Sequence, residues 1–280
     1  MMSEHPTTLE EVGHPALPFT RLDFNPTPAD AIVTRYILHG LRPRRININI
    51  PFELALYIAN LADYNPRIMC RRTVPMEYKS KYHGTQTIWT DESSHGIAGL
   101  YLVSPSLPKP PEGSGFKVRI KSAAFQMRSA DQGWATWGGE GTYRNSHTWF
   151  EVSVLRPRTI SDRVLSSSGV RVDADGVTEF NGKVKIADYR ETLNALGWDF
   201  VMNGEEAGWL VHHNLTASKE FRDYRVDWDL GAVMKIDEDL PSMGDGAGFL
   251  ESLRGGDAVA LWARAEVSDL PGALLFQVLY

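Results

Sequence analysis

The chain has 280 residues, 42% hydrophobic and 23% charged, which is the balance of a globular protein. Its net charge of −6 argues against nucleic acid or an anionic membrane surface as the main partner, since both need a basic field. The single cysteine, Cys70, excludes an internal disulfide, and no run of about 18 apolar residues supplies a transmembrane helix.

Residues 1–30 are rich in Pro, Thr and acidic side chains and lack the apolar core of a signal peptide. We expect an extended lead-in there and a cytoplasmic protein. A short helix is a candidate over 29–41. The stretch "PFELALYIANLADYNP" predicts a firmer one over 51–64: Leu54, Ile58 and Leu61 fall at helical spacing, Pro51 suits the first turn, and Asn65-Pro66 ends the pattern.

From about residue 84 the hydrophobic period changes from 3.6 to 2. "FKVRIK" (116–121), "WFEVSVL" (149–155), "WLVHHNL" (209–215), "YRVDW" (224–228), "DAVALWARAE" (257–266) and "ALLFQVLY" (273–280) all read as strands. "WLVHHNL" sets Trp209, Val211 and His213 on one face and Leu210, His212 and Asn214 on the other. "VTEFNGKVKI" outlines a hairpin turning at Asn181-Gly182. The Pro/Gly-rich stretches 104–115 and 237–248 read as surface loops, with "GDGAG" (244–248) flexible. Eight or more strands with few helices between them imply antiparallel pairing, because parallel strands need long crossovers. The expected fold is therefore mainly β: an antiparallel, jelly-roll-like β-sandwich over 31–280, with helix 51–64 packed on it as part of the same domain.

Three stretches together resemble a family of fungal proteins. The first is the helix, through Pro51, Glu53, Leu54, Asp63, Tyr64 and Pro66. The second is "DQGW…GTYxxSxTWFE", through Asp131 to Trp134, Gly141 to Tyr143, Ser146 and Thr148 to Glu151. The third is "GDxVxxWARA", through Gly256, Asp257, Val259 and Trp262 to Ala265. The resemblance spans roughly residues 46–270 and implies a jelly roll of the galactose-binding-like kind, without an established activity. Family members continue past "WARA" with Phe-Pro-Gly-Trp, whereas this chain reads "EVSDLPGALLFQVLY", so a pocket that depended on that tryptophan is altered here. The run Ile50-Pro51-Phe52-Glu53-Leu54 also resembles the start of an F-box, whose helix docks a partner protein, though Asn65-Pro66 breaks that pattern early.

No H-E-x-x-H, C-x-x-C, P-loop, G-x-S-x-G or G-x-G-x-x-G is present, so no metal and no cofactor is expected. His212 and His213 are strand neighbours and point to opposite faces, which keeps them from sharing one ion. The sequon Asn214-Leu215-Thr216 is expected to be silent in a cytosolic chain.

What remains is an aromatic and ionic constellation around "DQGWATWGGEGTYRNSHTWFE" (131–151). Tryptophan faces and carboxylates together suit a small molecule, a glycan or a peptide. Trp134, Trp137, Tyr143, Arg144 and Arg264 are the candidate ligand-binding residues. Trp134 and Trp137 sit among glycines outside any period-2 pattern, whereas Trp149, Trp209, Trp228 and Trp262 alternate within strands and read as core. A cofactor-independent cyclase, isomerase or pericyclase of fungal metabolism would use the same parts, with His147 or His212 and one of Asp131, Glu151 or Asp227 as the proton-transfer pair. The expected functions are thus a β-sandwich binding protein with an aromatic cleft, such an enzyme, or an F-box-like adaptor engaging a protein through helix 51–64.

Overall fold

Four helices and a set of antiparallel strands make up the described part of the structure, a computed structural model that describes residues 26–41, 49–62, 64–72, 76–78, 96–109, 118–131, 133, 135, 138–158, 181–183, 185–232, 242–266 and 274–277. The chain divides into two compact units, residues 1–67 and 68–280, so helix 51–64 groups with the N-terminal unit rather than with the strands.

In the N-terminal unit, α1 (Pro28–Gly40) opens on a capping box. Thr27 Oγ1 accepts from the Asp30 N–H at 3.1 Å, and Asp30 Oδ2 accepts from the Thr27 N–H at 2.9 Å, which satisfies two orphan donors of the first turn. α2 (Phe52–Leu61) follows Pro51 and stops in the turn at Ala62. The two helices pack together, and the buried side chains are small: Ala31, Ala55 and Ala59. The Phe52 ring meets Tyr36 at 6.3 Å and His39 at 6.1 Å, and His39 Nδ1 bonds the Ile50 carbonyl at 2.7 Å. Small residues let helix axes approach closely, so the alanine stripe becomes the contact face. The leucine face of α2, the one the spacing marked for burial, is the exposed one: Leu54, Ile58 and Leu61 are 53%, 40% and 76% exposed.

The second unit holds β1 (Met76–Tyr78), β2 (Gly96–Val103), β3 (Ser122–Ser129), β4 (Thr148–Pro157), β5 (Asn181–Lys183), β6 (Trp198–Val201), β7 (Trp209–His213), β8 (Arg222–Asp229), β9 (Ala258–Glu266) and β10 (Leu274–Gln277). One sheet runs β1-β10-β3-β8, the other β5-β2-β9-β4-β6, with β7 also paired to β4; the pairs are antiparallel. One core cluster draws Phe125, Met127, Val226 and Trp228 from the first sheet and Tyr101, Phe150, Val152 and Leu261 from the second. A second cluster lies on the other face of the β2-β9-β4 sheet, where a 3-10 turn (Ile186–Tyr189) and the short α3 (Arg190–Ala195) cover it. There Tyr189 stacks on Trp262 at 5.4 Å, and Trp262 Nε1 donates to Ser153 Oγ at 2.7 Å.

Several local expectations change. The strand expected over 116–121 begins instead at Ser122, where β3 pairs residue by residue with β8. Asn181-Gly182 makes no hairpin turn: Asn181–Lys183 is itself a strand, paired with Ala98 and Gly99 of β2. Ser104 and Leu107 are tied by backbone hydrogen bonds to Val259 and to Gly256 and Asp257, so the start of the 104–115 stretch is a sheet extension rather than a free loop. "GDGAG" is pinned, not flexible. Trp228 Nε1 donates to the Gly244 carbonyl at 3.1 Å and Trp209 Nε1 to that of Ala247 at 2.8 Å. Gly246, at φ +65°, lies so close over the Trp228 ring that any Cβ there would collide with it. α4 (Phe249–Ser252) follows directly and buries Phe249 and Leu250.

Candidate functional site

The stretch singled out by its rings and glycines is anchored by a chain of buried hydrogen bonds. Asp131 is 3% exposed. Its Oδ1 accepts from Thr148 Oγ1 at 2.8 Å and its Oδ2 from the Ala217 N–H at 2.7 Å. Asn214 Nδ2 donates to Thr148 Oγ1 at 2.8 Å, and Ser129 Oγ donates to Asn214 Oδ1 at 2.5 Å. The chain ties the end of β3, the start of β4 and the turn after β7 into one knot. Both carboxylate oxygens of Asp131 are engaged, so its side chain ties the start of β4 to the turn after β7. The sequon Asn214-Leu215-Thr216 lies within these bonds, with Asn214 and Thr216 fully buried.

The following loop is held to the same turn. Gly141 N–H donates to the Thr216 carbonyl at 3.1 Å, Thr216 N–H to that of Thr142 at 2.8 Å, and Thr216 Oγ1 to that of Arg144 at 2.8 Å. Gly139, at φ +94°, backs so closely onto the Arg144 carbonyl that any side chain there would clash. Arg144 contributes its carbonyl to this frame, while the residue as a whole is exposed. Trp134 and Trp137 lie outside the described residues.

The other site residues fall into separate places. β7 carries a bulge opposite Phe150 and Glu151. The extra residue turns Val211 and His212 both toward the inter-sheet core, instead of placing His212 with Leu210 as strict alternation requires. His212 is wedged between Tyr143, edge-on at 5.4 Å, and Tyr224 at 4.4 Å, and its Nδ1 bonds the His213 carbonyl at 2.5 Å. Burial holds the His212 imidazole down to about 4, so it is neutral at physiological pH; burial also lowers His213 and raises the Tyr224 phenol.

Glu151 and Arg264 share the opposite face of that sheet. Arg264 Nη1 donates to Glu151 Oε2 at 2.9 Å, and Trp149 Nε1 donates to Glu151 Oε1 at 2.5 Å. The guanidinium stacks over the Trp149 ring at 5.0 Å, whose other neighbour is His213 at 5.9 Å. Trp149, expected in the core, is therefore half-buried beside an ion pair. Asp227 joins neither group: it is exposed on the outward face of β8, bidentate to Arg225. His147 Nε2 is buried without a hydrogen-bond partner. The His–carboxylate pairing drawn from the sequence is thus not assembled from His212, Glu151 and Asp227, which face three different directions.

The "GDxV" motif is also an anchor. Asp257, 1% exposed, takes Arg156 Nε on Oδ1 at 3.0 Å and Nη2 on Oδ2 at 2.8 Å, and accepts the Arg254 N–H at 2.8 Å. Burial pushes the Cys70 thiol up to about 11, far from the thiolate that nucleophilic chemistry needs. Among the described residues, no group of three or more His, Cys, Asp or Glu side chains is placed to hold a metal ion, and no helix is long and apolar enough to cross a membrane.

The residues that sequence reasoning missed are Trp149, His213 and Tyr224, each a neighbour supplied by strand register. No local signal carries register, because it depends on which strands pair. Among the described residues, the helical unit carries most of the exposed large hydrophobic side chains. Leu54, Tyr57, Ile58 and Leu61 stand at i, i+3, i+4 and i+7 on α2, each at least 40% exposed, and α1 adds Val33, Tyr36 and Ile37, each above 50%. Comparison with protein-family models, with curated proteins and with solved structures found no match.

Proposed function

We propose that this chain is an adaptor-type interaction protein that engages a partner protein through the exposed face of its helical hairpin. One observation carries the reading: the hairpin buries its alanines and presents its large apolar side chains to solvent. Soluble proteins rarely leave contiguous apolar surface of this kind uncovered, and anchors at i, i+3, i+4 and i+7 are the pattern by which a helix fills a hydrophobic groove. The partner suited to it is an intracellular protein with an apolar groove. The F-box-like start at Ile50–Leu54 supports the same reading from the sequence.

The strand unit, in this reading, is a β-sandwich of jelly-roll type that serves as the second, recognition module. Its ligand-binding residues are Trp134 and Trp137, which stand in the sequence between Asp131 and Gly139, two residues whose backbone and side-chain contacts are fixed. A catalytic role has no comparable support, because His212 is walled in by tyrosines and lies across the sheet from Glu151.

The test is affinity purification of the full chain from its own cells, wild type against Leu54→Asp and Ile58→Asp. The adaptor reading expects a stoichiometric protein partner that both variants lose while their unfolding midpoints stay unchanged. Retention of every partner by both variants refutes it.

A further inference from the structure

Asn-Gly occurs twice in the sequence, at Asn181-Gly182 and at Asn203-Gly204, and the fold gives the two pairs opposite settings. A glycine after an asparagine leaves its own backbone nitrogen unshielded by a side chain and free to turn, so that nitrogen can reach the asparagine amide carbon. Asn181–Lys183 is a strand of the sheet, with Asn181 opposite Gly99 and Lys183 opposite Ala98. Asn203-Gly204 stands outside the main ladder. β6 pairs with β4 as far as Val201, opposite Val154, and β7 rejoins β4 at Trp209, opposite Val152. Residues 202–208 are the excursion between them, and 202–206 are exposed. At its tip Asn203 and Glu206 exchange backbone hydrogen bonds of 2.7 and 3.0 Å. Gly204 lies at φ +62° and Glu205 does not share the left-handed region, which is the pattern of a type II′ turn with glycine first. Among the described residues, the Asn203 side chain makes one bond, from Nδ2 to the Gly208 carbonyl at 3.5 Å, beyond the usual hydrogen-bond range. A Cβ on Gly204 would meet nothing within 4 Å, so the tip has open space around it.

We propose that Asn203 is a modification site, deamidated spontaneously through a cyclic imide, and that strand pairing protects Asn181 from the same reaction. Water is the only other reactant. The Gly204 backbone nitrogen gives up its proton and attacks Asn203 Cγ. A bond forms between that nitrogen and Cγ, the Cγ–Nδ2 bond breaks, and Nδ2 leaves as ammonia with the proton. Water then opens the imide at either carbonyl. Opening at Cγ restores the chain with a carboxylate on the side chain. Opening at the backbone carbonyl routes the chain through Cγ and leaves the carboxylate on Cα, the isoaspartyl form. Nothing is oxidised or reduced. Because nucleophile and target are neighbours, the attack is effectively unimolecular, and the cost of reaching its geometry sets the rate. At Asn203 that cost is the two tip bonds to Glu206 and the long bond to Gly208, in an exposed segment of the kind that opens at low free energy. At Asn181 the strand has to leave its pairing with β2. The product puts a carboxylate beside Glu205 and Glu206, and the isoaspartyl form adds a backbone atom to a two-residue turn, which displaces the Asn203–Glu206 pairing. The reaction lies in the strand unit and needs nothing from the helices.

The experiment ages the purified full chain at neutral pH in H₂¹⁸O, folded in buffer and unfolded in urea. Peptide mass spectrometry follows the uptake of ¹⁸O at each asparagine, and an isoaspartyl methyltransferase labels the rearranged product. In the folded chain Asn203 should convert roughly tenfold or more faster than Asn181, with isoaspartyl product at position 203. In urea the two rates should converge, because the dipeptides are the same and only the fold separates them. Gly204→Ala, which shields the attacking nitrogen, should slow conversion at Asn203, and the urea arm reads this variant whether or not it folds. Equal rates at the two sites in the folded chain overturn the proposal, as does a folded chain in which Asn203 is stable while urea converts both. A product at position 203 without the isoaspartyl form, or an undiminished rate in Gly204→Ala, overturns the imide route and the proposal with it.

Discussion

Acidification should unfold this protein through His212 in particular. Its imidazole sits between Tyr143 and Tyr224, and burial lowers it from 6.5 to about 4. In the unfolded chain the ring takes a proton below about 6.5; in the folded chain it resists until about 4. The folded-state value is depressed, so the stabilisation is fully present above 6.5, falls as pH drops from 6.5 to 4, and is flat below. The gap between the two values, at about 1.4 kcal/mol per pH unit, sets a ceiling of about 3 kcal/mol. Integrating proton uptake down to pH 5 gives about 2 kcal/mol. The perturbation is His212→Gln, which keeps a polar side chain of similar length without a titrating group. The assay is urea unfolding of both proteins at pH 7 and pH 5. Ionisations distant from the ring are common to both and cancel in the comparison, whereas the adjacent His213 is coupled to it. The wild type should lose about 2 kcal/mol more than the variant between the two pH values. Equal losses would refute the argument, because they would mean that the ring is already charged in the fold or already relieved of its burial.

Three further outcomes follow from the anchors. Asp131→Ala leaves the Thr148 hydroxyl and the Ala217 N–H without their shared acceptor and should cost about 3 kcal/mol by chemical denaturation, since bonds to a buried carboxylate are worth roughly 1.5–3 kcal/mol each. Asp257→Ala removes the acceptor of Arg156 and of the Arg254 N–H, leaves Arg156 its bond to the Ser252 carbonyl, and should cost about 2–3 kcal/mol in the same measurement, whereas Asp227→Ala, which breaks an exposed pair, should cost less than about 1 kcal/mol. Added in vitro to the already folded chain, an oligosaccharyltransferase should transfer no glycan mass to Asn214, because its amide is buried and donates to Thr148.

How far the sequence carries depends on whether the signal is local. The alternation in β4 and β8 was legible because Phe150, Val152 and Val154, and Tyr224, Val226 and Trp228, put one face of each strand on a shared core, whereas β9 is buried on both faces. His212 and His213 do face opposite ways, but the bulge in β7 exchanges the faces that the period assigned to them. β3 was not legible, because "SAAFQMRS" marks its buried face only weakly, with Ala123 beside Phe125 and Met127, and its strand identity comes from β8. Asn181-Gly182 has turn chemistry, yet pairing with β2 overrides it. The anchoring bonds of Asp131 were not legible, because its partner at Ala217 is 86 residues away and donates from the backbone, which no side-chain motif reveals. The faces of α2 were inverted for a related reason: helical spacing identifies two stripes, and only the neighbouring helix decides that the small one is buried.

The central claim is that the apolar face of α2 is a docking surface for another protein. The most direct measurement places a photo-activatable benzoyl-phenylalanine at Tyr57, the 63% exposed centre of that face, in the full chain in its own cells, and identifies the adducts by mass spectrometry. The predicted result is one dominant adduct to a separate protein, lost when Ile58→Asp is added and absent when the probe stands at Asp227. Adducts confined to this chain's own strand unit would contradict the claim, because the face would then be an internal contact rather than a docking surface.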